Sequence, residues 1–180
     1  VPASSNDVVL ALWRPSTISL SDLARQDLRI PLSNRPGKRG RDIFGTVAPY
    51  GELWRTGANA ATQFRTDKDL AFGAVTVPAG FYSLFTVPGP TSWKLIFNSE
   101  TGISGTAHKA EKDVHTVEMK VSPISSTVER FTIGVEPGAQ GGTLYMDWDN
   151  SRASTPFTVK PWGAIAPHSD GAVKIRPLLV

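Results

Sequence analysis

The sequence predicts an all-β fold, an antiparallel β-sandwich or flattened barrel, on three observations. Apolar residues recur with a period of two in many short segments. Gly and Pro break the chain at short intervals, and no segment keeps a convincing helical period beyond two turns. About ten short strands follow from this pattern. The stretch Arg35–Thr62 keeps neither period and is expected to be a long, functional-looking loop carried by the strands.

In chain order, residues 1–16 read as an N-terminal extension, with Val8 to Trp13 an apolar run that fits a buried strand before Arg14-Pro15 ends it. Thr17 to Ala24 is read as a strand, although Leu20, Leu23 and Ala24 also fit one helical turn. Leu28, Ile30 and Leu32 alternate with Arg29, Pro31 and Ser33, and Pro31, which has no N–H to donate, places that strand at an edge. After the loop come Thr62 to Thr66, then Val75 to Val77, which Pro78-Ala79-Gly80 is expected to join to Phe81–Val87 as a tight hairpin. Phe81–Val87 is apolar on both faces, so it belongs in the centre of a sheet covered on both sides. Trp93 to Asn98 is aromatic and apolar, and the Gly- and Ser-rich Ser99–Glu111 reads as a surface excursion. Val117, Met119 and Val121 form one inward face. Phe131, Ile133 and Val135 form another, answered across the turn Gln140-Gly141-Gly142 by Leu144, Met146 and Trp148. Pro156 to Lys160 is the last strand. One β domain over 17–160 is expected, and 161–180, with three prolines and two glycines, is a C-terminal tail.

Composition narrows the function classes. At 180 residues, with 40% hydrophobic and 19% charged, the chain suits one well-filled core. Nineteen Lys and Arg against sixteen Asp and Glu give +3, a modest excess that clusters between Arg35 and Arg41 without a stripe of interleaved aromatics, so nucleic acid is not an expected partner. No apolar run is long enough to span a bilayer, and there is no cysteine for a disulfide, a thiolate metal site or a thiol nucleophile. His108, His115 and His168 stand at no metal-ligand spacing, so no metal and no cofactor is expected. Ser83 and Ser151 lack a nucleophile-elbow context, and Gly37-Lys38-Arg39-Gly40 opens no helix.

The loop gathers Arg35, Arg39, Arg41 and Arg55 with Asp42, Glu52, Asn59 and the rings of Phe44, Tyr50 and Trp54. Guanidinium forks suit carboxylate or phosphate, yet Asp42, Glu52 and the loop's carbonyls can equally consume them as a structural brace. The candidate ligand-binding residues are Arg41, Tyr50, Trp54, Arg55 and Asn59. The candidate catalytic carboxylates are Glu52 and Asp42, and Asp147 and Asp149 beside Trp148 offer a second polar edge. Gly57 is expected to supply a left-handed bend that turns Arg55 and Asn59 to one side, with Arg55 bracing Glu52 and Asn59 facing the ligand.

The motifs Ser33-Asn34-Arg35-Pro36, Gly40 to Gly45, and Pro49-Tyr50-Gly51-Glu52-Leu53-Trp54-Arg55-Thr56-Gly57-Ala58-Asn59 resemble the bacterial family called domain of unknown function family 2911. Pro78 to Pro88, Trp93 to Asn98, Lys112-Asp113-Val114 and Arg130 to Ile133 resemble its later blocks, so the likeness runs from about Thr17 to Val159. Ala60 stands where the family pattern has Glu, and His108 stands near a family aromatic, so no role built on that Glu transfers. The resemblance implies a bacterial, often exported protein, periplasmic or secreted, and no defined activity. Three functions stay open: a module binding a small polar or anionic ligand, a hydrolase or lyase using Glu52 or Asp42 with Arg55, and an assembly subunit forming homo-oligomers through its tails.

Overall fold

A computed structural model describes residues 36–159 and the backbone of Thr17–Ser19. The expected strands at Val8 to Trp13 and Leu28 to Leu32, and the tail 161–180, lie outside the described residues. One sheet carries the fold, built from β1 (Thr17–Ser19), β2 (Thr62–Thr66), β3 (Leu70–Phe72), β4 (Val75–Val77), β5 (Gly80–Val87), β6 (Ser92–Asn98), β7 (Asp113–Gly138) and β8 (Gly141–Val159). Its spatial order is β1-β2-β5-β6-β7-β8-β3-β4. Every pairing is antiparallel except that of β1 with β2.

Three expectations are corrected. First, two strands are long: the separate strands read on either side of 122–130 are one 26-residue β7, and those on either side of 149–155 are one 19-residue β8. The polar run Ser122 to Arg130 looks like a loop in sequence because its side chains lie mostly at the surface. There the β7–β8 register shifts, between Pro123 and Val128 and again before Thr132, and Asp149 opposite takes φ 54°. Second, β4 and β5 do not pair. Val75–Val77 turns back on Leu70–Phe72, a strand too short to show a period, through Gly73 at φ +58°. Asp69 then accepts the Ala79 N–H at 2.9 Å, and Pro78 and Ala79 carry the chain across to the centre of the sheet. Third, β5 is central as expected, but its neighbours are β2 and β6.

The shift at 123–132 has a large consequence for shape. The β7–β8 hairpin folds back so that its tip meets the end of β8, where Val159 N–H donates to Gln140 C=O at 2.8 Å, and β4 lies against β7. One face of the hairpin therefore lines two sides of the core: Val117, Met119 and Ala153 from its base, and Phe131, Ile133, Leu144, Met146 and Trp148 from its outer half. The sheet curls around these side chains without closing. Phe97 is a hub of the core, with Phe64 at 5.5 Å, Tyr82 at 5.7 Å and Phe72 at 5.9 Å between ring centroids. Such pairs add about 0.5–1.5 kcal/mol each to the burial of the rings.

Among the described residues, no helix is long and apolar enough to cross a membrane. Among the described residues the helical content is one wide turn, Ile43–Val47, closed by Ala48 N–H on Ile43 C=O at 2.8 Å, and one short 3-10 turn, Ala110–Lys112.

Candidate functional site

The long loop is held down at three places, and those places divide its candidate residues. At its start, Lys38 N–H donates to Glu129 C=O (2.8 Å) and Phe131 N–H to Pro36 C=O (3.1 Å), adding a short stretch of chain to the bend of β7. Two cations of the basic cluster, Lys38 and Arg41, are spent here. Arg41 donates through Nη2 to Gly37 C=O at 2.7 Å and through Nε to Lys38 C=O at 3.2 Å, while Lys38 Nζ meets Asp149 at 2.5 Å. Arg41 is thus bound to its own loop. Asp147 is likewise taken: Arg152 grips both its oxygens at 2.8 Å while stacking 4.2 Å from the Tyr145 ring centroid. The polar edge expected at Asp147 and Asp149 is therefore a set of braces.

In the middle of the loop, Ile43 and Ala48 are fully buried, and Phe44 stacks on Tyr50 at 5.3 Å and edge-on to Trp93 at 5.7 Å. Tyr50 is 47% exposed, and Asp42 and Glu52 are exposed with no ion pair among the described residues. Asp42 sits at the start of the wide turn, where its carbonyl accepts from the Thr46 hydroxyl.

The third anchor is Trp54, 6% exposed, stacked 5.4 Å from Trp148 and edge-on to Phe131 at 4.8 Å. Its N–H and C=O both pair with Thr86 of β5 (2.7 and 2.8 Å), extending the line of β2. The ring expected to face a ligand lies in the core. Its neighbour behaves differently, because that pairing puts Arg55 opposite Phe85, on the outer face of the sheet.

On this outer face, Phe85, Ile96 and Ala61 form a small apolar patch with Ile103 and Val87 against it. The expected surface excursion, Ser99–Glu111, is laid over it. Ala61 N–H donates to Ile103 C=O (3.3 Å), Gly105 N–H to Asn59 C=O (3.1 Å), and Ser104 bridges Ala60. A buried polar chain fastens it from below. Gln63 Nε2 donates to Ser83 Oγ (2.8 Å), Ser83 Oγ to Glu100 C=O (2.7 Å), and Gly102 N–H to Gln63 Oε1 (3.1 Å). Ser83 is therefore structural.

The Arg55 side chain and the Asn59 carbonyl come together under this excursion, at Gly105. A side chain added there would stand 2.0 Å from Arg55 Cδ and 2.7 Å from the Asn59 carbonyl oxygen, so only glycine admits the stem of Arg55. The bend between them is left-handed at Thr56 (φ 58°) and Asn59 (φ 66°), whereas Gly57 takes no positive φ. For a buried β-branched residue such as Thr56 that conformation is strained. Its hydroxyl contacts Thr86 Oγ1 at 3.3 Å and its carbonyl accepts from the Thr62 hydroxyl at 2.7 Å, which hold it in place. Arg55 makes no ion pair with Glu52 among the described residues, and its Nε is buried without a hydrogen-bond partner.

Near this group lies a pair that sequence reading did not assign. His108 stacks edge-on against Phe85 at 4.7 Å, and its Nε2 meets the Asp113 carboxylate at 2.9 and 3.0 Å. Asp113 is steadied by Asn98 Nδ2 at 2.7 Å. The two residues are five apart across a 3-10 turn, a spacing that no helix or strand period flags. Among the described residues, no three His, Asp or Glu side chains gather as a metal-ligand set.

The molecule is thus an open, doubled-back antiparallel β-sheet with a strained, arginine-bearing loop clipped to its outer face. The chain belongs to the family described as Protein of unknown function (DUF2911), whose model matches residues 15–157. No curated protein and no solved structure matches it.

Proposed function

We propose that the protein binds a small anionic ligand, a carboxylate or a phosphate, at Arg55, with the exposed Asn59 as a second polar contact. The observation that supports this is the buried, unpartnered Nε of Arg55 in a residue with no acidic partner among the described residues. A buried donor left unmet costs about 1–3 kcal/mol, and an oxygen supplied by a ligand recovers it. Guanidinium takes carboxylate or phosphate in a two-bonded fork, through Nε and one terminal nitrogen or through both terminal nitrogens. The strained turn at Thr56 and Asn59 fits the same reading, since backbone strain gathers at ligand clamps. Glu52 and Asp42, exposed and unpaired with Arg55, support no acid–base reading. The family resemblance extends the proposal to a protein working outside the cytoplasm, which fractionation of the host cells tests.

Thermal-shift titration with acetate, butyrate, phosphate and ethyl phosphate tests the site. The parent should be stabilised by at least one of them, Arg55→Gln by none, and Arg55→Lys by less than the parent. Equal stabilisation of the parent and Arg55→Gln removes Arg55 from the site.

A further inference from the structure

The outer face holds one more polar group whose chemistry is set by its partners, the imidazole of His108. Asp113 lies against Nε2 with both oxygens and is itself fixed by Asn98, which is fully buried and also donates to Lys109 C=O at 3.0 Å. In the neutral imidazole, a carboxylate at Nε2 holds the proton there and leaves the lone pair on Nδ1. Nδ1 has no partner among the described residues, and the side chain keeps 17% of its surface exposed. The ring is therefore an oriented acceptor, the complement of the donor fork on Arg55.

Both groups border the same side chain. Arg55 lies opposite Phe85 through the Trp54–Thr86 pairing, and the His108 ring is 4.7 Å from that of Phe85. The excursion joins them as well, since Gly105 carries the Arg55 stem and His108 follows three residues later. Arg55 and His108 thus present a donor fork and an acceptor on one face of the sheet. The chemistry that satisfies an acceptor is a hydroxyl.

We infer that the ligand of this site is a small hydroxy acid, its carboxylate or phosphate on Arg55 and its hydroxyl donating to Nδ1 of His108. This rests on the anion reading above, and the test separates the two. Dissociation constants are measured for two matched pairs, 3-hydroxybutyrate with butyrate and 2-hydroxyethyl phosphate with ethyl phosphate. In the parent, the hydroxylated member of at least one pair should bind about tenfold tighter, the discrimination of one satisfied hydrogen bond. The pair that shows it identifies the acid group. In His108→Phe the ratio should fall to about one while the deoxy probe still binds, and Asp113→Asn, close to isosteric and less exposed to misfolding, should also lower it. The nitrogen-15 shifts of the His108 ring give an independent readout, with Nε2 protonated and Nδ1 bare in the parent.

A ratio near one in the parent with the anions still binding overturns the hydroxy-acid assignment and leaves the anion site standing. A proton on Nδ1 with Nε2 bare overturns it too. If no probe binds the parent, both readings fall together.

Discussion

Replacing Trp54 with alanine separates a core anchor from a ligand platform. The indole is 6% exposed, sandwiched against Trp148 and edge-on to Phe131. An indole buries roughly 150–250 Å², which at about 25 cal/mol per Å² corresponds to roughly 4–6 kcal/mol as an upper bound. Large aromatic-to-alanine changes in cores cost about 3–5 kcal/mol, and alanine keeps both backbone bonds to Thr86, so about 4 kcal/mol is expected. For a chain of this size that lowers the melting temperature by roughly 8–16 °C. Urea unfolding followed by far-UV circular dichroism measures the loss without relying on the fluorophore removed. Trp54→Phe, which keeps a ring against Phe131, should lose roughly half as much. A loss below about 1 kcal/mol for Trp54→Ala, with anion affinity reduced instead, would refute the packing argument and return Trp54 to the site.

Two further outcomes follow from groups in and beside the core. Arg152→Met strands the Asp147 carboxylate, whose side chain is 11% exposed, and should cost about 3 kcal/mol. Adding Asp147→Asn should recover part of this, and strictly additive losses in the double-mutant cycle would show that the pair is not coupled. Burial, with Asp69 adding to it, holds the Tyr82 phenol above its ordinary value of 10.0. The folded state thus keeps a proton that the unfolded chain gives up first. That stability is complete below about pH 10 and is lost as pH rises through the raised value. Tyr82→Phe should forfeit about 1 kcal/mol with the hydroxyl's bond to Pro78 C=O yet show a flatter stability profile above pH 10. An equal slope in both proteins would place the alkaline loss elsewhere.

The strands were legible where a single period survives over several residues, as in Val117-Met119, Phe131-Ile133 and Leu144-Met146-Trp148, because one face of each meets the core. Fusion into two long strands was not legible, since Ser122 to Arg130 leaves the core at the bend and carries surface composition. Leu70–Phe72 was missed for brevity, and with it the true partner of Val75–Val77. The loop was legible as a special region but not as three regions. Its Arg-rich start, its aromatic middle and its Arg55–Asn59 end dock on different parts of the sheet, and contacts distant in sequence set where each one docks. Gly105 and His108 show the same limit. A glycine in a Gly- and Ser-rich excursion carries no mark of the arginine fifty residues earlier that needs its missing side chain.

The folded-back hairpin also checks its own alignment. Strands of 26 and 19 residues joined at a tight turn could zip in several registers, and a shift by two would keep every apolar residue on its proper face. The return contact removes that freedom. Val159 N–H finds Gln140 C=O, and the Phe157–Thr158 backbone fits against the bare Cα of Gly141, only when the tip and the far end of β8 are both in place. A slipped hairpin would carry its error around the fold and fail to dock, so alignment is proofread by a contact made between its two most distant parts.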